Sequence, residues 1–352
     1  MKELPFVSVV IPMRNERDWI ERSLGAVLAQ DYPPDRMEVL VADGMSDDGS
    51  REILKKIASE DGRVRVVDNP GRIVPTGLNA AIRQARGDVV ARVDAHTILE
   101  SDYLRRGVEV LERTGAEGVG GPMVSMGGGP VGDAIARAMK SRFGIGAAFH
   151  FAEKECEADT VYMGMWPRRL FDRIGVFDEE LVRDQDDEFS YRIRKHGGRL
   201  ILAPQMKSRY QNRQSWAALA RQFYQYGFWK VRVLQKHPRQ MSVRHFIPPL
   251  FDAGIAAGAL LSPLAGWCGA AAAAAACVYA LTMLAVAAVE GDGALSQRLR
   301  LAVALAIIHH AWATGFLVGL VRFAARWWDE PASGEARAGA RREHVEGEAF
   351  HE

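Results

Sequence analysis

Asp94 and His96 close the apolar run Val89-Val-Ala-Arg-Val-Asp-Ala-His96, and a carboxylate two residues from an imidazole is a ligand pair for a divalent cation. The chemistry such a cation supplies beside phosphates is charge neutralisation. A strand ending in Asp-x-His is also a common capped turn, so two further acidic stretches matter: Asp43-Gly-Met-Ser-Asp-Asp48-Gly-Ser50 and Asp184-Gln-Asp-Asp-Glu188. Asp186, Asp187 and Glu188 exceed what a helix N-terminus requires, and their mutual repulsion raises at least one pKa toward general-base strength.

These residues need elements to position them. Val7 to Ile11 and Val39 to Ala42 read as strands, joined by a helix that begins near Glu16 and repeats Trp19, Ile20, Leu24, Val27 and Leu28 at helical spacing. A helix from Ser50 to Ser59, a strand Val64 to Val67, a helix Thr76 to Ala85 and a strand Val89 to Val93 continue the alternation. The fold class is therefore α/β, Rossmann-like, with a mostly parallel sheet whose strand C-termini carry Asp43, Asp94 and His96. After the first strand stands Pro12-Met-Arg-Asn-Glu16, without the glycines of a dinucleotide fingerprint, and no phosphate-binding Gly-x-x-x-x-Gly-Lys-Ser/Thr loop occurs. A nicotinamide enzyme is disfavoured, and phosphate charge must be met by a metal and side chains.

The 45 basic and 44 acidic residues leave no bias toward nucleic acid, which is not an expected partner. Cys156, Cys268 and Cys277 have no metal or disulfide-framework spacing. The N-terminus lacks the flanks of a signal peptide, so residues 1 to about 245 are expected in the cytoplasm. From Ala253 to Val289 no residue is charged, which suits a helical hairpin broken at Ser262, Pro263 and Gly266, and Leu301 to Val321 is a third apolar stretch. Lys236, Arg239, Arg244, Arg298, Arg300, Arg322 and Arg326 flank the ends and favour a cytoplasmic catalytic domain on an inner membrane. Trp216, Leu219, Phe223 and Tyr226 form an apolar stripe, with Arg221, Lys230 and Arg232 elsewhere on the helix, as in an interfacial amphipathic helix. The expected division is a catalytic domain over 1–214, an interfacial segment over 215–245, two or three membrane helices over 246–328 and a disordered tail over 329–352.

Together, Val7-Ser-Val-Val-Ile-Pro-Met-Arg-Asn-Glu16, Asp43 to Ser50 and Arg92-Val-Asp-Ala-His96 resemble the inverting family 2 glycosyltransferases of GT-A fold over roughly residues 5 to 235. Within that family the chain looks most like the membrane-bound succinoglycan-type glucosyltransferases, in which Asp-x-His replaces Asp-x-Asp. The resemblance implies a nucleoside-diphosphate sugar donor, a UDP-sugar first, contacted by Asp43, Asn79 and Asp94. It implies Mn²⁺ or Mg²⁺ on Asp94 and His96, and Asp186 as the catalytic base that takes the acceptor hydroxyl proton. Trp166, within Tyr162-Met-Gly-Met-Trp166-Pro-Arg-Arg169, and Asp187 would face the acceptor, which the membrane tract suggests is lipid-linked, on a polyprenyl pyrophosphate.

Gln222-Phe-Tyr-Gln-Tyr-Gly-Phe-Trp229 resembles a segment of the succinoglycan-type enzymes and lacks the Arg-Trp pair of processive synthases. Transfer of one sugar in polysaccharide biosynthesis is thus expected. A processive synthase, a polyprenyl-phosphate glycosyltransferase and an inactive membrane scaffold are the alternatives; retention of Asp43, Asp94, His96 and Asp186 argues against the last.

Overall fold

A computed structural model of the protein describes residues 3–144, 153–327 and 329. The expected disordered tail falls outside the described residues except for Asp329.

β1 (Val7–Met13), β2 (Met37–Asp43), β3 (Val64–Asp68) and β4 (Val89–Arg92) alternate with α1 (Ile20–Leu28), α2 (Ser50–Glu60) and α3 (Val74–Gln84). Aliphatic runs buried on both faces need helices above and below, and the four strands pair in parallel in the order β3-β2-β1-β4. The chain continues through β5 (Thr97–Leu99), α4 (Tyr103–Thr114), β6 (Gly118–Gly121), β7 (Met123–Met126), α5 (Gly129–Lys140) and β8 (Cys156–Glu157). There follow β9 (Tyr162–Pro167), α6 (Arg169–Ile174), α7 (Gln185–Lys195), β10 (Leu200–Leu202) and β11 (Ser208–Gln211).

The main sheet has eight strands, β3-β2-β1-β4-β9-β6-β10-β8, and a small sheet runs β5-β11-β7. The mostly parallel expectation holds for β1 to β4 and again for β6 and β10, which pair in parallel; β9 and β8 run the other way. β9 enters antiparallel between β4 and β6, so the whole sheet is mixed. One core fills the face toward α1, α2 and α4, with Val9, Val41, Leu24 and Leu104. The other fills the face toward α3, α6 and α7, with Leu40, Leu78, Phe171 and Phe189.

α8 (Trp216–Lys236), α9 (Ile247–Leu261), α10 (Gly266–Glu290) and α11 (Leu295–Arg322) complete the chain. The expected hairpin forms as α9 and α10, but α9 at ~22 Å is short of a ~30 Å hydrocarbon core. Of the three apolar stretches, two helices, α10 and α11, are long and apolar enough to cross a membrane. α10 buries Met283, Val286 and Ala287 and keeps an exposed apolar face on which Trp267, Leu281 and Val289 point outward. α11 lies along α8 at backbone contact, because a Cβ on Gly227 would sit 2.1 Å from the Trp312 carbonyl oxygen and one on Gly315 2.0 Å from that of Tyr224. Gly315 and Gly319, four apart, form the small-residue groove that allows this approach.

The stripe reading of α8 needs one correction. Lys230 and Arg232 do not face outward; they are buried and paired with acids of the 178–187 segment. Helical spacing locates a cation on a face but says nothing of an acid waiting opposite it.

Candidate active site

Side chains alternate along β4, and Val89, Ala91 and Val93 join the core on one face while Val90 joins the other. Arg92 shares the face of Val90, the face that α7 covers, and is only 6% exposed. Its Nε donates to Asp94 Oδ1 at 2.9 Å, and its Nη1 lies 3.8 Å from Asp186 Oδ2. One buried guanidinium thus joins the expected metal ligand to the expected base. Burial disfavours its charge, but Asp94 and Asp186 more than compensate, and its pKa is raised. The structure pairs Arg92 with two carboxylates.

Asp94 follows β4 at the C-terminal edge shared with Met13 of β1 and Asp43 of β2. Its amide donates to Met163 Sδ at 3.4 Å, where β9 carries the positive φ of 45° at Met163. His96 is oriented by Glu16, whose Oε1 is 2.8 Å from Nδ1, and by the Tyr210 ring, whose centroid is 5.3 Å from that of the imidazole. Burial works against the imidazolium, but Glu16 and Asp94 outweigh it, so the pKa of His96 is raised. Among the described residues no cluster of three or more His, Cys, Asp or Glu is arranged to hold a metal. The donor set fits a cation that takes its remaining ligands from a diphosphate, as hard divalent ions do on one or two protein groups.

Asp186 stands in the first turn of α7, 39% exposed, and accepts the Asp187 amide at 3.0 Å. Its neighbours are committed elsewhere. Asp187 is ion-paired with Lys230 of α8 and accepts from Gln240 Nε2 at 2.8 Å. Burial raises the Asp187 pKa, yet the Lys230 ammonium overrides it and holds the carboxyl below its usual range. Glu188 is buried against Arg192 at 2.6 Å and His237 at 3.0 Å. The acid of this cluster that repulsion and burial push up is Asp184, to about 7, mainly through desolvation with Lys230 opposing. Asp184 sits in the left-handed region, φ 61°, with a buried Oδ2 that lacks a hydrogen-bond partner.

Other expected positions are placed differently. Asp43 is fully buried, with Arg51 Nη1 at 2.6 Å on one oxygen and the Ser46 amide at 3.2 Å on the other, so the protein itself supplies its two donors. Asn79 is fully buried and clasps the Phe177 backbone from both sides, at 2.8 and 3.0 Å, which leaves its amide nothing for a donor nucleotide. Trp166 is 3% exposed and ringed edge-on by Phe171, Phe177 and Phe189. It offers no open face to a sugar; as a strand residue opposite Val90 it packs into the core. Asp187 has one carboxylate oxygen tied to Lys230 and Gln240, with the side chain 28% exposed. Sequence reasoning missed Glu16, Arg51 and Lys230 as partners: Glu16 and Lys230 meet their imidazole and carboxylate across the fold, and Arg51 folds back from the first turn of α2 onto Asp43.

A mixed sheet with a parallel half, acids along its C-terminal edge and a helix-borne carboxylate above is a GT-A-like arrangement. The family model described as "Glycosyl transferase family 2" matches residues 8–175. The chain is 32% identical over 337 residues to the succinoglycan biosynthesis protein ExoA of Rhizobium meliloti, covering 90% of this chain and 96% of that one. It is 27% identical to a Methanococcus voltae dolichyl N-acetyl-alpha-D-glucosaminyl phosphate 3-beta-D-2,3-diacetamido-2,3-dideoxy-beta-D-glucuronosyltransferase, over 66% of this chain and 74% of that protein. Among solved structures, the mannosyltransferase PcManGT of Pyrobaculum calidifontis, in complex with GDP-Man and Mn²⁺, superposes with a TM-score of 0.53 at 24% identity, over 94% of this chain and 89% of that one. The chain belongs to glycosyl transferase family 2 and is a glycosyltransferase.

Proposed function

We propose that the enzyme moves one sugar, with inversion, from a nucleoside-diphosphate sugar to an acceptor on a membrane polyprenyl pyrophosphate, in the assembly of a glycan. The observation that carries this reading is the Arg92 bridge, 2.9 Å to Asp94 and 3.8 Å to Asp186, which supports a proton acceptor at Asp186 beside an edge that would meet phosphate. The acceptor hydroxyl oxygen attacks the anomeric carbon, its proton passes to Asp186, and the bond from that carbon to the diphosphate oxygen breaks on the opposite face. Asp94 and His96 would hold Mn²⁺ or Mg²⁺, which would supply Lewis-acid stabilisation of the departing diphosphate. Arg51, 23% exposed and held by Asp43 and Asp68, keeps surface at the β2 edge for a nucleotide.

The exposed apolar face of α10 supports a membrane acceptor, as do the curated names of the relatives, one a succinoglycan biosynthesis protein and one acting on a dolichyl-linked sugar. The same proposal includes a cytoplasmic catalytic domain over 1–214, a linking segment over 215–245 and a membrane region over 246–328 in an inner membrane, followed by the tail over 329–352. Absence of the Arg-Trp pair supports single transfer over processive synthesis.

Purified full-length protein in detergent, given a lipid extract and a panel of UDP- and GDP-sugars with and without Mn²⁺, tests the reading. The expected result is nucleoside-diphosphate release from one donor that depends on metal and falls 10²- to 10⁴-fold in Asp186→Asn. Equal release by the variant would remove Asp186 from the role of base.

A further inference from the structure

We infer that Glu16 is a positioning residue for the cation site, fixing His96 so that its Nε2 faces the cation; this rests on the metal reading above. Glu16 lies in the turn that opens α1, where its own backbone is already satisfied: its amide donates to Ser50 Oγ at 2.8 Å and its carbonyl accepts from Ile20 at 2.8 Å. The side chain is left to serve another element. It crosses to the end of β4, eighty residues away in sequence, and meets His96 Nδ1 at 2.8 Å.

A carboxylate only accepts, so the proton of the neutral imidazole resides on Nδ1 and the lone pair on Nε2. Among the described residues no hydrogen bond falls on Nε2. Both groups are about three-quarters buried, His96 at 27% and Glu16 at 23% exposure, which holds the pair in one geometry better than a surface ion pair would. The Tyr210 ring limits rotation of the imidazole from its side. Glu16 also adds a second negative charge to that of Asp94, around a ligand pair that otherwise carries only one. Carboxylate, imidazole and cation in series is the arrangement by which outer groups set the tautomer and basicity of a metal-bound histidine.

The test is an Mn²⁺ titration by electron paramagnetic resonance on the full chain in detergent, with UDP and, separately, GDP saturating, and a nucleotide-only blank subtracted. The wild type is expected to bind Mn²⁺ above the blank, and His96→Ala to lose that binding. Glu16→Ala is expected to weaken it 10- to 100-fold, and Glu16→Gln, which can still accept from Nδ1, to fall between the two. Glu16→Ala and Glu16→Gln binding as tightly as wild type, with His96→Ala defective, would overturn the inference while leaving the metal site standing. A wild type no better than the blank would overturn both.

Discussion

Lys230 of α8 reaches Asp187 of α7 with its side chain 5% exposed, next door in sequence to the carboxylate proposed to take the acceptor proton. The contact is one of a row: Arg232 meets Glu180 at 3.0 Å, and Lys236 meets Glu180 at 2.7 Å and also Asp178. A helix that precedes the apolar tract is thereby stitched to the loop and turn that present Asp186.

Lys230→Met leaves a half-buried carboxylate without its counterion, a change that typically costs about 3–5 kcal/mol in buried pairs. The thermal midpoint is expected to fall clearly in Lys230→Met and to recover in the double variant Lys230→Met/Asp187→Asn. Additive losses in the double variant would show that the two side chains act independently.

Asp184 gives the chain a pH-dependent weakness. Its pKa is about 7 in the folded protein, where burial is the first cause, against about 3.9 for an unfolded aspartate. A raised acid pKa stabilises the fold fully below about 4, and that contribution is lost as pH rises through about 7. Asp184→Asn keeps a residue tolerant of the left-handed backbone and cannot ionise. It is expected to melt higher than wild type at pH 8 and to show a flatter midpoint between pH 4 and 7; parallel profiles would refute the assignment.

Trp166→Ala removes a large buried ring and is expected to destabilise by about 3–5 kcal/mol. Trp166→Phe, closer in volume, should lose less and leave the KM for acceptor unchanged. A raised acceptor KM in Trp166→Phe, at unaltered donor KM, would return the residue to the substrate.

Gly315→Ala drives a methyl against the Tyr224 carbonyl, whereas at Gly254 on α9 the space is open. The first is expected to cost about 1–3 kcal/mol and the second to be neutral or mildly stabilising in a detergent melting assay. Equal midpoints for the two would mean that α8 and α11 separate without penalty.

The alternation of buried runs with amphipathic helices made the parallel half of the sheet legible, since β1 to β4 and α1 to α3 each bury their own periodic residues. The chemical edge was legible for the same reason: Asp43 and Asp94 end strands that run the same way. β9 was not, because Tyr162 to Pro167 reads as a loop with a tryptophan until Val90 is seen opposite it. Asn79, Trp166 and Asp187 look like ligand contacts in one dimension, and only their partners, Phe177, the phenylalanine rings and Lys230, show them occupied. Periodicity reports which face a residue takes and is silent about what comes from eighty or a hundred residues away to meet it.

The close seating of α11 on α8 bears on how the enzyme is to be prepared. Cutting the chain near residue 245 to obtain a soluble catalytic fragment would strip the partner from Gly227, Phe223 and Val231 and open an oily trough along α8. The same helix carries Lys230, so a loosened α8 would hold the turn that bears Asp186 less firmly. The apolar tail is packed on the helix that braces the turn bearing Asp186, and so belongs to the folded body rather than hanging from it.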